Sequence, residues 1–333
     1  MTFCKSCNFP INEGESTKEC EQCGGTTHSF CLLLADDGSR VCDICMMTNA
    51  EKPKRADFIL PDSIRRTYIE TYRKCPNKFK LEVLDGHSQP PNKYTQVGID
   101  LHELFEKAYN DRSYTKEQMI ADYNQYEDEQ FEVGLFDSPE DRDKFYQRAM
   151  TSIDNFYAII ENMPEAFATE ETIHYSIGDD VPLVEFTMDL ITENENGNLD
   201  LHDWKTGKVM VGQTISSDLQ APLYIYGVQK HYNRTVDSFT FYYLNEGKTR
   251  TFKRINSLVY ECKVGKRSYY INLEDTIKEI KSIFNQIKKG NFNIPQDTRK
   301  MYFTCKMCHL KEQGLCAGAD QESWYQMNGG RNQ

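Results

Sequence analysis

Apolar residues recur at helical spacing in several stretches of the chain and alternate in others. Pro61-Asp62-Ser63 reads as the cap of a helix running to about Lys74. Gly98–Asn110 places Leu101, Leu104, Phe105 and Ala108 on one helical face, and Asp141–Glu161 does the same with Phe145, Ala149, Ile153, Phe156 and Ile160. Strands are expected at about Glu171–Ile177, Val184–Thr192 and Leu199–Thr206. The polar run 193–198 turns the last two into a hairpin. A helix at about Asp218–His231, a strand at Ser238–Leu244 and a basic strand at Lys248–Arg254 follow. The last helix, Leu273–Lys289, carries Ile277, Ile280, Phe284 and Ile287 inward and stops at Gly290. Helix, three strands, helix and strand in that order predict an α/β core with antiparallel pairing at its centre.

Residues 1–50 show none of this periodicity and instead carry cysteines. Seven of the chain's 12 lie there, at positions 4, 7, 20, 23, 31, 42 and 45. Charged residues 51–57, with Pro53, read as a linker, residues 58–317 as one large domain, and 318–333 as a polar tail. The spacing of the cluster is Cys-x2-Cys, Cys-x2-Cys, His-x2-Cys, Cys-x2-Cys. Each two-residue gap aims two ligand atoms at one ion, so four pairs make two tetrahedral zinc sites. With few large apolar side chains available, metal must supply much of the folding free energy of this segment. A disulfide framework suits a short secreted chain, and this chain is neither short nor headed by a signal region.

The ligand order resembles that of cross-braced PHD and RING fingers. The resemblance implies that Cys4, Cys7, His28 and Cys31 share one zinc and that Cys20, Cys23, Cys42 and Cys45 share the other. Arg40 stands two residues before the last pair, where PHD fingers usually carry an aromatic residue, so a methyl-lysine cage lacks its walls. A small docking or DNA-gripping module is the expected role.

The chain has 333 residues, 51 acidic against 39 basic, and a formal net charge of −12. That argues against coating nucleic acid through bulk charge, but leaves room for an acidic metal site beside a local basic groove. Arg65-Arg66, Arg73-Lys74 and the stretch from Lys248 to Arg267 are pieces for such a groove. No run approaches the roughly 18 apolar residues of a membrane span. A cytoplasmic protein is expected, in the host cytoplasm if it is viral.

Asp203-Trp204-Lys205 falls on a strand, where residues two apart share a face. A hairpin closing near Asn196 brings Asp189 roughly opposite Asp203. Two carboxylates at that separation repel unless a cation lies between them, and hard oxygen donors suit Mg²⁺ or Mn²⁺. A neighbouring lysine can orient water and offset charge on a phosphate. His102 stands at the edge of an apolar helical stripe, where a structural histidine is the competing reading.

These residues resemble the RecB-type nucleases of the PD-(D/E)XK superfamily, including the iron–sulfur branch found in CRISPR-adaptation and AddB-like nucleases. The matching elements are Tyr72-Arg73-Lys74-Cys75-Pro76 with Phe79, the helix with Gly98 and His102, Glu171, Asp189, Asp203-Trp204-Lys205-Thr206-Gly207, and Gln220 with Tyr224. The resemblance implies a restriction-endonuclease-like core, a mixed central sheet flanked by helices. It implies that His102, Asp189 and Asp203 bind Mg²⁺ or Mn²⁺, with the Trp204 carbonyl as a further ligand. Glu171 and Lys205 join them in catalysis, and Glu170 is the alternative to Glu171 if the strand has the other phase. Gln220 and Tyr224 line the DNA path. It also implies a four-iron four-sulfur cluster on Cys75, Cys305, Cys308 and Cys316, with zinc as the alternative. The expected activity is that of a metal-dependent exonuclease on single strands or duplex ends in DNA repair, recombination or phage DNA metabolism. No Gly-x4-Gly-Lys-Ser/Thr loop is present, so a helicase or recombination partner would be a separate protein. From another class, the finger could be the functional part, as a docking or ubiquitin-transfer adaptor on an inactive nuclease scaffold.

Overall fold

The computed structural model describes residues 2–4, 10–11, 16–21, 24–34, 39–42, 58–89, 91–294, 304–305 and 308–316. Cys7, Cys23 and Cys45, the linker read at 51–57 and the tail read at 318–333 lie outside them. The chain divides into two compact units, Met1–Phe58 and Ile59–Gln333.

The first unit is built from two-stranded antiparallel ladders. β1 (Thr2–Phe3) pairs with β2 (Pro10–Ile11), β3 (Thr17–Glu19) with β4 (Thr26–His28), and β5 (Leu33–Leu34) with β6 (Arg40–Val41). Its described buried positions are Cys4, Cys20, Thr27, His28, Val41 and Cys42, so cysteine and histidine take the place of a large apolar core.

The second unit opens with β7 (Ser63–Arg65), followed without a break by α1 (Arg66–Lys74) and α2 (Pro76–Phe79). The helix expected from residue 61 thus begins five residues later. Ile64 is fully buried in a parallel pairing with the strand at 183–193, and Ser63 Oγ donates to Glu185 across it at 2.5 Å. Long-range pairing overrides the local capping signal.

Three helices come next: α3 (Lys93–Asn110), α4 (Lys116–Glu132) and α5 (Pro139–Ile160). The Asn92 side chain caps α3 through the Tyr94 and Thr95 amides, and Ser138 caps α5. Sequence reading passed over α4, although Thr115 and Gln118 form a reciprocal capping box at its start.

The main sheet has eight strands, in the order β14-β13-β12-β11-β10-β9-β7, with β8 pairing β9. These are β8 (Ala166–Tyr175), β9 (Leu183–Glu193), β10 (Leu199–Lys205), β11 (Val236–Tyr243), β12 (Lys248–Arg254), β13 (Val259–Val264) and β14 (Arg267–Asn272). Between β10 and β11 runs α6 (Gln220–Tyr232); α7 (Leu273–Lys288) and the short α8 (His309–Glu312) follow β14. Because α6 crosses over, β10 and β11 pair in parallel, whereas β9 and β10 are antiparallel. The sheet is therefore mixed, as expected, with the antiparallel β9–β10 pair beside the parallel β10–β11 pair at its centre. Strands β13 and β14 add a hairpin that the sequence reading did not call.

One core joins α3, α4 and α5 to the sheet through Leu101, Leu104, Phe105, Met119, Tyr123, Phe145, Phe156, Leu190 and Trp204. Phe105 stacks on Phe156 at 4.3 Å, and Phe156 meets Trp204 edge-on at 5.1 Å. Another contact locks α6 to β8 and β9. A Cβ added at Gly227 would lie 2.6 Å from Tyr175 Cε1 and closer still to Phe186 Cε1. Gly227→Ala is thus expected to destabilise the protein by about 1–3 kcal/mol, the usual cost of overpacking, read as a lower melting temperature. No helix among the described residues is long and apolar enough to cross a membrane.

Candidate functional site

The site is assembled where α3 meets the middle of β8 and β9 and the end of β10. Gly98 makes the approach of α3 possible: a Cβ there would lie 3.3 Å from Thr206 Oγ1, one residue past Lys205. One turn further along α3, His102 Nδ1 lies 3.5 Å from Asp189 Oδ2 on β9. The β9–β10 ladder runs from Leu199↔Glu193 to His202↔Leu190, so Asp203 follows in register beside Asp189. Asp189 Oδ2 also accepts the Trp204 amide at 2.7 Å. Burial pushes the Asp189 carboxyl up, and the Asp203 charge adds to it, with His102 and Lys205 pulling the other way.

The first-strand carboxylate in this cluster is Glu170. Its ligand oxygen and those of His102 and Asp189 lie within 4.8 Å of one another. Glu171 is turned away: Tyr232 Oη on α6 donates to its Oε2, and His231 Nε2 stands 3.5 Å from its Oε1. The reason lies in the strand's phase. Thr169 Oγ1 donates to Asn110 on α3, yet Glu171, two residues on, is bonded to α6. Regular alternation would send both the same way. Glu170, at φ +44°, takes up the phase change in the left-handed region and projects toward α3. The alternation did hold a clue. Counting back by twos from Tyr175, which donates to Leu223 on α6, places Glu171 on the α6 side.

Asp203 and Lys205 both face α6, where Gln220 joins them. Lys205 Nζ donates to Gln220 Oε1 at 2.8 Å, and Gln220 Nε2 donates to Asp203 Oδ1. Lys205 Nζ also lies 2.7 Å from Asp203 Oδ2 and 5.3 Å from the centre of the Phe241 ring. That close ion pair lacks hydrogen-bonding angles, and Asp203 Oδ2 is left buried with no hydrogen bond among the described residues. Gln220 is 4% exposed, and Tyr224 is buried against Phe186, their rings stacked at 4.1 Å. Expected to line the DNA path, these two residues are packed inside, and Gln220 orients both members of the Asp–Lys pair. His202, next to Asp203, is not part of the cluster. It is buried between Thr192 Oγ1 at 2.8 Å and Tyr242 Oη at 3.2 Å, and burial lowers its pKa to about 4.

Burial and then the charges of Asp189, Glu106 and Asp203 raise the Glu170 carboxyl to about 8. Three acidic groups thus crowd one imidazole and one ammonium. Such a set, with an Asp203 oxygen that accepts no hydrogen bond beside the Lys205 ammonium, fits a small divalent cation with a preference for oxygen donors. Arg66, at the start of α1, was read from the sequence only as a piece of groove. It pairs with Glu70 at 2.8 Å. Burial works against its charge, but Glu70, then Tyr224, Asp218 and Asp203, outweigh this and raise its pKa.

The superfamily profile of the PD-(D/E)XK nucleases matches residues 66–313. The chain belongs to the PD-(D/E)XK nuclease superfamily. The matched span carries every strand of the mixed sheet except β7, the flanking helices and every residue of the cluster above. No curated protein matches the chain. Among solved structures, it aligns with the crystal structure of SSO0001 at 15% identity and a TM-score of 0.27, over 73% of this chain and 94% of that one. A score that low carries no argument.

Outside the PD-(D/E)XK cluster, the described cysteines other than Cys262, which is buried on β13, fall into two further groups. In the first unit, the ligand atoms of Cys4, His28 and Cys31 lie within 4.8 Å of one another, and the His28 amide donates to Cys4 Sγ at 3.4 Å. The Cys42 amide donates to Cys20 Sγ at 3.2 Å. In the second unit, Cys75 ends α1 and precedes α2, packed with Cys305 and Ile294. Burial raises the Cys75 thiol, and Cys305 and Cys316 add to the push. Asn77 Nδ2 donates to Cys316 Sγ at 3.2 Å, and Cys308 closes a turn on the Cys305 carbonyl at 3.3 Å. Residues 230 or more apart in sequence meet here, which soft thiolates around a metal or cluster would explain.

Proposed function

We propose that the chain is a divalent-metal-dependent deoxyribonuclease, an exonuclease acting on single strands or duplex ends. Convergence of His102, Glu170 and Asp189 beside the Asp203–Lys205 pair is the observation that carries this reading. A bound Mg²⁺ or Mn²⁺ would supply Lewis-acid activation of water and contact to the phosphate being cut. His102, Glu170, Asp189 and the carboxylate of Asp203 would hold it. Lys205 donates toward the charge that builds on the phosphate during in-line attack. Gln220 keeps the ammonium and the Asp203 carboxylate in fixed positions, so neither must reorganise as the reaction proceeds. Arg66, held by Glu70, adds positive potential on the Asp203 side of the site.

The complete set of acidic, imidazole and lysine groups favours this reading over an adaptor on an inactive scaffold. The test is cleavage of end-labelled single- and double-stranded DNA and RNA with Mg²⁺, Mn²⁺ or EDTA. Metal-dependent release of short products from DNA ends supports it, and no cleavage of any substrate with either ion refutes it.

In the same reading, the first unit binds two zinc ions, one through Cys4, Cys7, His28 and Cys31 and one through Cys20, Cys23, Cys42 and Cys45. Cys75, Cys305, Cys308 and Cys316 hold a four-iron four-sulfur cluster. Protein purified without oxygen should be brown and contain about four irons per chain. Cys75→Ser should bleach it and lower its melting temperature, because a link between distant parts of the chain is lost. Zinc in place of iron at metal analysis would convert this site into a structural zinc site.

A further inference from the structure

The cleft beside the metal ligands encloses about 510 Å³ and is lined by one stripe of α3 (Thr95, Gly98, Ile99, His102, Glu103, Glu106) together with Glu170. Its character changes along the helix. Beyond His102 it is acidic, with Glu103, Glu106 and Glu170, and a phosphodiester backbone is repelled there. Toward the start of α3 it is neutral and carries Ile99, 48% exposed, while Tyr94, 60% exposed, stands on the neighbouring side of the helix with Phe145, Arg148 and Thr206.

This ledge is tied to the catalytic strand. Tyr94 is held edge-on by Phe145, ring centres 4.9 Å apart. The Arg148 guanidinium lies 5.8 Å from the Tyr94 ring centre, and its Nη2 donates to the Thr206 carbonyl at 3.4 Å. Nearby Lys93 is neutralised by Asp137 and Asp141. Arg148, in contrast, makes no ion pair among the described residues, so a half-buried guanidinium beside an exposed aromatic ring has its charge available.

We propose that Tyr94, Ile99 and Arg148 hold the unpaired nucleotides of a single DNA strand next to the phosphate being cut; this deepens the nuclease reading and rests on it. One base packs on Tyr94 and a neighbouring one on Ile99, because every base has an apolar face and stacking needs no sequence. Arg148 takes the adjoining backbone phosphate. The strand leaves the metal ligands over the neutral half of α3, away from Glu103 and Glu106.

The test is binding in EDTA, where no cutting occurs, of a fluorescein-labelled oligothymidylate followed by anisotropy. An oligonucleotide containing 2-aminopurine reports stacking by loss of its fluorescence. Tyr94→Ala should weaken binding about tenfold and reduce the quenching, whereas Tyr94→Phe retains both. Ile99→Ser should weaken binding in the same direction without touching the Tyr94–Phe145 contact. Arg148→Ala should lower the slope of log affinity against log salt by about 0.7, one phosphate contact on a single strand. Tyr270→Ala, a similarly exposed tyrosine at 52% on β14, should change nothing. Unchanged affinity and quenching in both Tyr94→Ala and Ile99→Ser, with a wild-type protein that binds and cuts the strand, overturns the ledge alone. A wild-type protein that neither binds the oligonucleotide nor cuts it with Mn²⁺ removes the nuclease reading instead.

Discussion

Lys205→Met and Asp203→Asn each lower the rate of phosphodiester cleavage by about a hundredfold or more, with the fold retained. Both substitutions nearly preserve shape. The methionine keeps an apolar stem near Phe241, and the asparagine keeps an oxygen and a nitrogen where Asp203 meets Gln220 and Lys205. Lys205→Met removes positive charge at the reacting phosphate and Asp203→Asn removes an anionic ligand for the cation, and one lost electrostatic group of this kind commonly costs about two to three orders of magnitude. Asp203→Asn should also raise the melting temperature in EDTA, because it relieves repulsion between Asp203 and the buried Asp189. Single-turnover rates on an end-labelled oligonucleotide, paired with thermal unfolding, check both statements. Near-normal rates in either variant would remove the pair from the chemistry.

The second large effect separates two adjacent glutamates. Glu170→Gln should reduce metal-dependent cleavage about a hundredfold, whereas Glu171→Gln should leave it within a few-fold, since Glu171 faces Tyr232 and His231. Glu170 also sets a pH dependence. Its folded pKa stands at about 8, above the usual carboxylate value, so the metal-free folded state holds more protons than the unfolded chain between roughly pH 4.5 and 8. Stability without metal therefore falls as pH rises through that window, and acidification restores it. Cation binding runs the other way, because the ligand must lose its proton: apparent affinity should weaken as pH drops below about 8, by at most about tenfold per unit for this group. Glu170→Gln should flatten both trends. Mn²⁺ titrations and melting curves at several pH values, on both variants, decide between the two residues. A flat profile in the wild type, or loss of activity in Glu171→Gln alone, would return the role to Glu171.

Much of the site was legible because its parts are local. Asp203 and Lys205 share a strand face by simple alternation, and the turn at 193–198 sets the register that carries Asp189 to Asp203. His102 lies on a helix whose apolar stripe was plain. The role of Gln220 was not visible in this way. A glutamine at the start of a helix can face solvent or spend its amide on a neighbour. Only the packing of α6 under β10 brings both of its ends to Asp203 and Lys205.

The chain by itself thus determined the periodic helices and strands, the hairpin before Asp203 and the residue types suited to a cation, since these depend on spacing within a few residues. Tertiary structure decided what spacing cannot reach. It made 63–65 a strand, because Ile64 gains more from burial beside β9 than from the first turn of a helix. It set β10 and β11 parallel through the α6 crossover. And it chose Glu170 over Glu171: strict alternation assigns faces only while the pleat is regular, and here one residue in the left-handed region shifts the phase where α3 and α6 compete for opposite sides of β8.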